Sequence, residues 1–127
     1  MANKPTEHLL ITASRVEGTP VFNTKGERIG HVEDLSIDKL SGQVRYALIS
    51  FGGFLGVAAR IHPVPWAVLD YEPGIEGYVV PLSREELEKA PSYAKDELEG
   101  FGDGDKIYRE SLFSYYGQYG AMPYWGL

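Results

Sequence analysis

Three histidines, His8, His31 and His62, are the first candidates for proton-transfer chemistry in this sequence. His31 stands close to Glu33 and Asp34, and a bulge in a strand could bring its imidazole against a carboxylate for general acid–base work. The alternative is that His31 is an ordinary surface residue of a strand. The absence of a second catalytic motif favours this alternative.

Two other motifs resemble ligand sites only in part. The sequence "GDGD", which contains Asp103 and Asp105, is similar to the opening of a calcium loop, but Ile107 stands where a third oxygen ligand is needed. The glycine-rich stretch 52–56 leads to prolines and not to a helix N-terminus that could hold a phosphate. Cysteine is absent, which excludes a thiolate nucleophile or ligand. We therefore predict no catalytic, cofactor-binding or metal site, and no enzymatic activity.

The stretch "SFGGFLGVAARIHPVPW" joins a tight turn to apolar side chains that a chain normally buries, namely Phe54, Leu55 and Val57. A small barrel fills its interior from its strands, so an apolar turn needs another surface to pack against. We predict that this surface is a second copy of the chain, since apolar patches mark association sites and two-fold dimers are common. The alternative is a cap over one end of the same barrel, in which Trp66 could be part of the core.

The C-terminal part of the sequence is rich in aromatic residues, with "SYYGQYGAMPYWGL" as its end. It could dock on its own or a neighbouring barrel, remain disordered, or stack on flat ligands. Stacking on nucleic acid requires interleaved basic residues, and none follows Arg109. With the apolar turn, the predicted interface residues are Phe54, Leu55, Val57, Trp66, Tyr115, Tyr116, Tyr124 and Trp125.

The elements that position these residues are short strands separated by turns. The segments "PVFN", "RIGHVEDLSIDKL" and "QVRYALISF" read as a β-meander, and "AVLDYEP" with "GYVVPL" reads as a further hairpin. The uneven spacing of apolar residues in the second segment predicts bulges near Gly30 and near Glu33 and Asp34. Pro63 and Pro65 place their segment at a sheet edge or in a connector.

One helix is predicted after these strands. Ser83 and Glu86 have the spacing of a capping box, and Pro91 ends the helix. Both alternating sets of the third strand are apolar, so we expect that strand to be covered on both faces.

Composition limits the possible partners. The 127 residues suffice for one domain, and 43% of them are hydrophobic, as in globular proteins. The net charge is −6, and the basic residues are scattered among acids, which argues against nucleic-acid binding. The N-terminal apolar run is too short for a membrane span or a secretory signal, and the lack of cysteine is compatible with the cytoplasm.

The stretch "GTPVFNTKGERIGHVEDLSIDKLSGQVRYALISFGGFLG" resembles the PRC-barrel family, over about Ala13 to Leu82. That family includes the cytoplasmic barrel of the photosynthetic reaction-centre H subunit and the C-terminal domain of a ribosome-maturation factor. "HPVPW", "YVVPLSREELEKAPSY" and "YYGQYGAMPYW" are similar to a bacterial group of stand-alone PRC-barrel proteins. The resemblance implies a mainly β fold: a small PRC-type barrel of short antiparallel strands, one short helix after it and an aromatic-rich C-terminal tail.

From these observations we expect an N-terminal extension (1–12), a PRC-barrel domain (13–93), and a linker with the aromatic C-terminal tail (94–127). The expected function is that of a non-enzymatic scaffold or adaptor for protein–protein association, as a homodimer in the bacterial cytoplasm. Two alternatives remain open: a protein that binds a flat, quinone-like ligand or cofactor in an aromatic cleft, and a factor associated with RNA or the ribosome.

Overall fold

The computed structural model describes residues 10–51, 60–99 and 109–121. The strands are β1 (Pro20–Phe22), β2 (Arg28–Ile37), β3 (Val44–Phe51), β4 (Arg60–Pro65), β5 (Asp70–Glu72) and β6 (Gly77–Val79). The α-helices are α1 (Ala13–Val16), α2 (Arg84–Lys89), α3 (Lys95–Glu99) and α4 (Arg109–Tyr116), with 3-10 turns at Trp66–Val68 and Gly117–Tyr119.

The six strands form one sheet in the order β4-β3-β2-β1-β6-β5. The predicted meander is confirmed, since β1 to β3 pair as successive antiparallel neighbours, and β4 continues it beside β3. The predicted hairpin is formed by β5 and β6. One pairing differs from the expected antiparallel pattern, because β1 and β6 are parallel. This parallel pair joins the meander to the hairpin in a single mainly β sheet of the small barrel type.

Both predicted bulges in β2 are present. Val21 and Phe22 of β1 pair with Gly30 and Arg28, so one residue of β2 is left over between them. A second extra residue, Glu33, separates two pairings with successive residues of β3. Gly30 is required at the first bulge because a Cβ there would overlap the backbone carbonyl oxygen of Ser50. The bulges bend β2, as curvature of a small sheet requires.

The proline-containing strand β4 lies at one edge of the sheet, as predicted. Pro63 and Pro65 pair with Leu48 and Tyr46 of β3, and both proline rings are fully buried. An edge position tolerates prolines because a missing N–H group can face away from the ladder.

The hydrophobic core combines residues of the sheet with residues of the C-terminal part of the chain. Tyr46 lies on one face of β3 and Ile49 on the other, and both are completely buried, which confirms that β3 is covered on both faces. Phe113 of α4 packs near Tyr46, with ring centroids 6.1 Å apart. Leu112 and Tyr116 of α4 are fully buried in the same core.

The described residues after the sheet form three α-helices, of which the sequence predicted one. The predicted helix is α2, and it begins with the expected capping box: Glu86 N donates to Ser83 Oγ at 3.1 Å, and Ser83 N donates to Glu86 Oε1 at 2.7 Å. The segment interpreted as a linker contains α3, and the aromatic tail contains α4. Because α4 contributes to the core, the described part of the tail packs as part of the barrel's own fold.

Candidate interaction surface

Three aromatic rings lie side by side on one face of the β5–β6 hairpin. Tyr71 of β5 is directly opposite Tyr78 of β6, and their ring centroids are 5.2 Å apart. Trp66, which begins the 3-10 turn after β4, also contacts Tyr78, with ring centroids 5.4 Å apart. Both contacts are edge-to-face, the favoured geometry for such pairs. We call Trp66, Tyr78 and Tyr71 the aromatic row.

The aromatic row is buried at its centre and open at one end. Tyr78 is only 7% exposed, whereas Tyr71 is 49% exposed and Trp66 is half-buried. Burial raises the pKa of the Tyr78 hydroxyl, with a smaller contribution from Tyr71. The loop that joins β5 to β6 also presents Ile75 to solvent, at 47% exposure. The hairpin therefore carries a surface of large apolar groups.

Acidic side chains occupy the opposite face of β5. Side chains alternate along a strand, so Asp70 and Glu72 point away from the face that carries Tyr71. Both carboxylates are exposed, and neither forms an ion pair with a basic residue in the part of the chain that the structure describes. Glu76, in the loop, is also exposed. The hairpin is thus aromatic on one face and acidic on the other.

The tyrosines of the C-terminal tail form a second cluster, against α2. The Tyr115 hydroxyl donates to the backbone carbonyl of Glu86 at 2.7 Å, which ties α4 to α2. Burial strongly raises the pKa of the Tyr116 hydroxyl, and no described residue accepts a hydrogen bond from it. Desolvation and the Glu86 carboxylate raise the pKa of Tyr119 to about 12. These hydroxyls are neutral near pH 7, and the cluster serves packing.

His62 is a buried histidine between the sheet and α2. Its Nε2 atom is 3.1 Å from the carbonyl oxygen of Leu87, to which it donates, and its ring packs edge-on against Phe51 at 4.8 Å. Burial lowers the pKa of His62 to about 4, the hydrogen bond to Leu87 opposes this shift, and the positive charge of Arg60 adds to it. His62 is therefore neutral at physiological pH.

His31 does meet a carboxylate, although only at the surface. Its Nε2 atom is 3.1 Å from Glu33 Oε1, with 41% and 32% of the two side chains exposed. The Asp34 carboxylate turns instead to the backbone and accepts from Leu35 N at 2.8 Å. Both side chains of this pair are partly exposed on β2, in agreement with the surface position that we favoured for His31.

The predicted interface residues have different fates in the structure. Trp66 belongs to the aromatic row and Tyr115 is partly buried against α2, but Tyr116 is completely buried in the protein's own core and presents no surface to a partner. The others lie outside the described residues: Phe54, Leu55, Val57, Tyr124 and Trp125.

Sequence reasoning missed Tyr71 and Ile75 as surface candidates, and it missed Tyr78 as the buried ring against which Tyr71 packs. The signal was present in "DYEPGIEGY", because a hairpin centred on the loop places Tyr71 opposite Tyr78. Metal-ligand clusters of histidine and carboxylate residues are not found in residues 10–51, 60–99 and 109–121, while Asp103 and Asp105 lie outside them. Among the helices described, none is long and apolar enough to cross a membrane.

The fold is that of a small, mainly β domain with a curved, bulged sheet and a helix packed after it. The PRC-barrel domain family model matches residues 10–87, more than half of the chain, and the chain belongs to this family. A search of curated proteins found no match.

Proposed function

We propose that this protein is a non-enzymatic module for protein–protein association. The observation that carries the proposal is the aromatic row with exposed Ile75 on the β5–β6 hairpin, at an edge of the sheet. Aromatic residues are enriched in protein interfaces, where large rigid rings bury much area at a small entropic cost. The described elements leave the Tyr71 end of this surface open to a partner.

The states of the histidines fit a binding role better than a catalytic one. His62 is enclosed by the sheet and α2 and holds a helix carbonyl, which is a structural task. His31 and Glu33 are partly exposed, with 41% and 32% of their side chains accessible, which fits a surface pair better than an enclosed catalytic site. The proposal therefore assigns both histidines to the fold and its surface.

The proposal includes homodimerisation in the bacterial cytoplasm, through the apolar turn and the aromatic row. Its test is multi-angle light scattering over a concentration series, on wild type and on two double variants, Phe54→Ser/Leu55→Ser and Tyr71→Ser/Ile75→Ser. A matched control, Ile37→Ser/Leu40→Ser, removes two exposed apolar side chains elsewhere, at 49% and 99% exposure.

We expect a wild-type dimer that either test variant weakens and the control retains. Wild-type protein that stays monomeric at high micromolar concentration would contradict homodimerisation. In that case, affinity capture from the native host, compared between wild type, the Tyr71/Ile75 variant and the control, tests association with a different protein. If the Tyr71/Ile75 variant captures the same proteins as the wild type, the role of the aromatic row in association is contradicted.

Binding of a flat ligand is a second candidate, favoured by the half-exposed Tyr71 ring at the end of the aromatic row. A thermal-shift screen against quinones, flavins and nucleotides tests it, because a ligand at 100 times its Kd adds about 2.7 kcal/mol to stability. A shift that Tyr71→Ser abolishes would support this function. If no compound raises the melting temperature, ligand binding is contradicted and protein–protein association is the remaining candidate function.

A further inference from the structure

The two edges of the sheet differ in their availability to another strand. On the outer side of β4, Ile61 exchanges two backbone hydrogen bonds with Tyr93, at 2.8 and 2.9 Å, and the Arg60 guanidinium donates to the Ser92 carbonyl at 2.8 Å. The prolines of β4 also lack donors. The outer side of β5 pairs with no residue that the structure describes, and all three of its residues are exposed.

The side-chain pattern of β5 specifies what an added strand must carry. Residues directly opposite one another in neighbouring strands lie on the same face and interact. An added strand therefore places one side chain beside Tyr71, on the aromatic face, and the flanking side chains beside Asp70 and Glu72, on the acidic face. The complementary sequence is basic–apolar–basic.

A second copy of β5 does not satisfy this pattern. Antiparallel pairing of two β5 strands about Tyr71 would place Asp70 of one copy opposite Glu72 of the other, and like charges in opposite positions destabilise a sheet. The only other described edge, β4, is already covered by the segment around Tyr93. Charge complementarity thus selects a different protein as the occupant of this edge.

We propose that the outer edge of β5 binds an extended basic segment of a partner protein as an added strand. Basic side chains of that segment lie against Asp70 and Glu72, and an apolar side chain between them packs against Tyr71. Main-chain hydrogen bonds supply the docking, and the alternating side chains supply the specificity. This inference rests on the proposed association function and names the partner's chemistry.

The test uses a fluorescein-labelled peptide of seven residues in which lysine and valine alternate, measured by fluorescence anisotropy. The first comparison peptide has glutamate in place of lysine. Two further basic peptides carry backbone N-methyl groups at alternate residues, one for each register, so that charge is kept and strand pairing is blocked. We expect binding of the basic peptide, loss with the glutamate peptide, and at least tenfold weaker binding for one or both N-methylated peptides.

Protein variants separate local from general electrostatics. Asp70→Lys/Glu72→Lys should weaken peptide binding at least tenfold, whereas Glu17→Lys/Glu88→Lys, which changes the net charge equally at exposed positions elsewhere, should change it less than threefold. Circular dichroism checks that each variant is folded. In NMR spectra of the wild type, the amide signals of Asp70, Tyr71 and Glu72 should shift on titration.

Several results would overturn the inference: no binding of the basic peptide, binding of both N-methylated peptides as tight as that of the unmethylated basic peptide, equal loss in the two lysine double variants, or a dimer in which the β5 strands of two copies pair with each other. The inference can fail alone. If Tyr71→Ser/Ile75→Ser abolishes association while the peptide does not bind, the association function stands and only the basic partner is excluded.

Discussion

Acidification should destabilise this protein through His62 at pH values above those at which Asp38 and Glu86 lose their stabilising contributions. In the folded state burial lowers the pKa of His62 from 6.5 to about 4, so the imidazole is neutral there while the unfolded chain takes up a proton below about pH 6.5. Because the unfolded state binds more protons in this window, the free energy of unfolding must fall as the pH falls from about 6.5 to about 4.

The size of the effect follows from the shift. At about 1.4 kcal/mol per pKa unit, the complete loss is about 3 kcal/mol, of which about 2 kcal/mol falls between roughly pH 7.5 and pH 5. Asp38 and Glu86 have pKa values lowered by backbone hydrogen bonds, so their contributions are present above their unfolded pKa values of 3.8 and 4.5 and are lost below them. The loss of these two contributions therefore falls below the window from pH 7.5 to 5, in which the effect of His62 is measured.

The assay is urea denaturation followed by circular dichroism at several pH values from 7.5 to 5. We expect the wild type and His31→Gln to lose about 2 kcal/mol of unfolding free energy across this range. His62→Gln keeps an amide that can donate to the Leu87 carbonyl but cannot titrate, so its stability should be nearly constant over the same range. A flat wild-type profile, or a slope that persists in His62→Gln, would refute the reasoning.

Three further changes test the packing by urea denaturation. Gly30→Ala should lower the free energy of unfolding by about 3 kcal/mol, since its Cβ would overlap the Ser50 backbone. The control Gly74→Ala, with open space around it, should lower it by less than about 0.5 kcal/mol. Similar losses in the two variants would contradict the close approach at Gly30. Ser83→Ala should cost about 1 kcal/mol by removing the capping box, and an unchanged midpoint would show that α2 does not depend on it. Tyr116→Phe removes a buried hydroxyl for which no described residue is a partner, so stability should stay equal or rise by about 1 kcal/mol; a loss of that size would reveal an unseen partner.

The sequence by itself determined the elements whose signals are local. Steps of three residues between apolar positions located the bulges of β2, because each extra residue shifts the alternation by one. Pro63 and Pro65 located the sheet edge, because a residue without an N–H group cannot serve a central ladder. Ser83 with Glu86 located the start of α2, because the capping box is a contact across three residues.

The tertiary structure alone decided the arrangement of distant segments. The parallel pairing of β1 with β6 joins residues far apart in sequence, and no turn motif records such a contact. Helix α4 lacks a strong local signal, and its place is fixed by burial of Leu112 and Tyr116 against the sheet. His62 is neutral because the fold buries its ring against Phe51 and the Leu87 carbonyl, and no residue next to it in sequence indicates this packing.

For the candidate surface too, some features could be predicted from the sequence and others depend on the tertiary structure. The alternation of Asp70, Tyr71 and Glu72 is visible in the sequence, and it fixes which side chains share a face once a strand forms. That Tyr71 ends a row of three rings, and that β5 is a sheet edge, depends on the register with Tyr78 and on the position of Trp66. The order of residues in the sequence decides which side chains share a face of a strand. Their exposure depends on which other segments pack over that face, and this is decided by the whole fold.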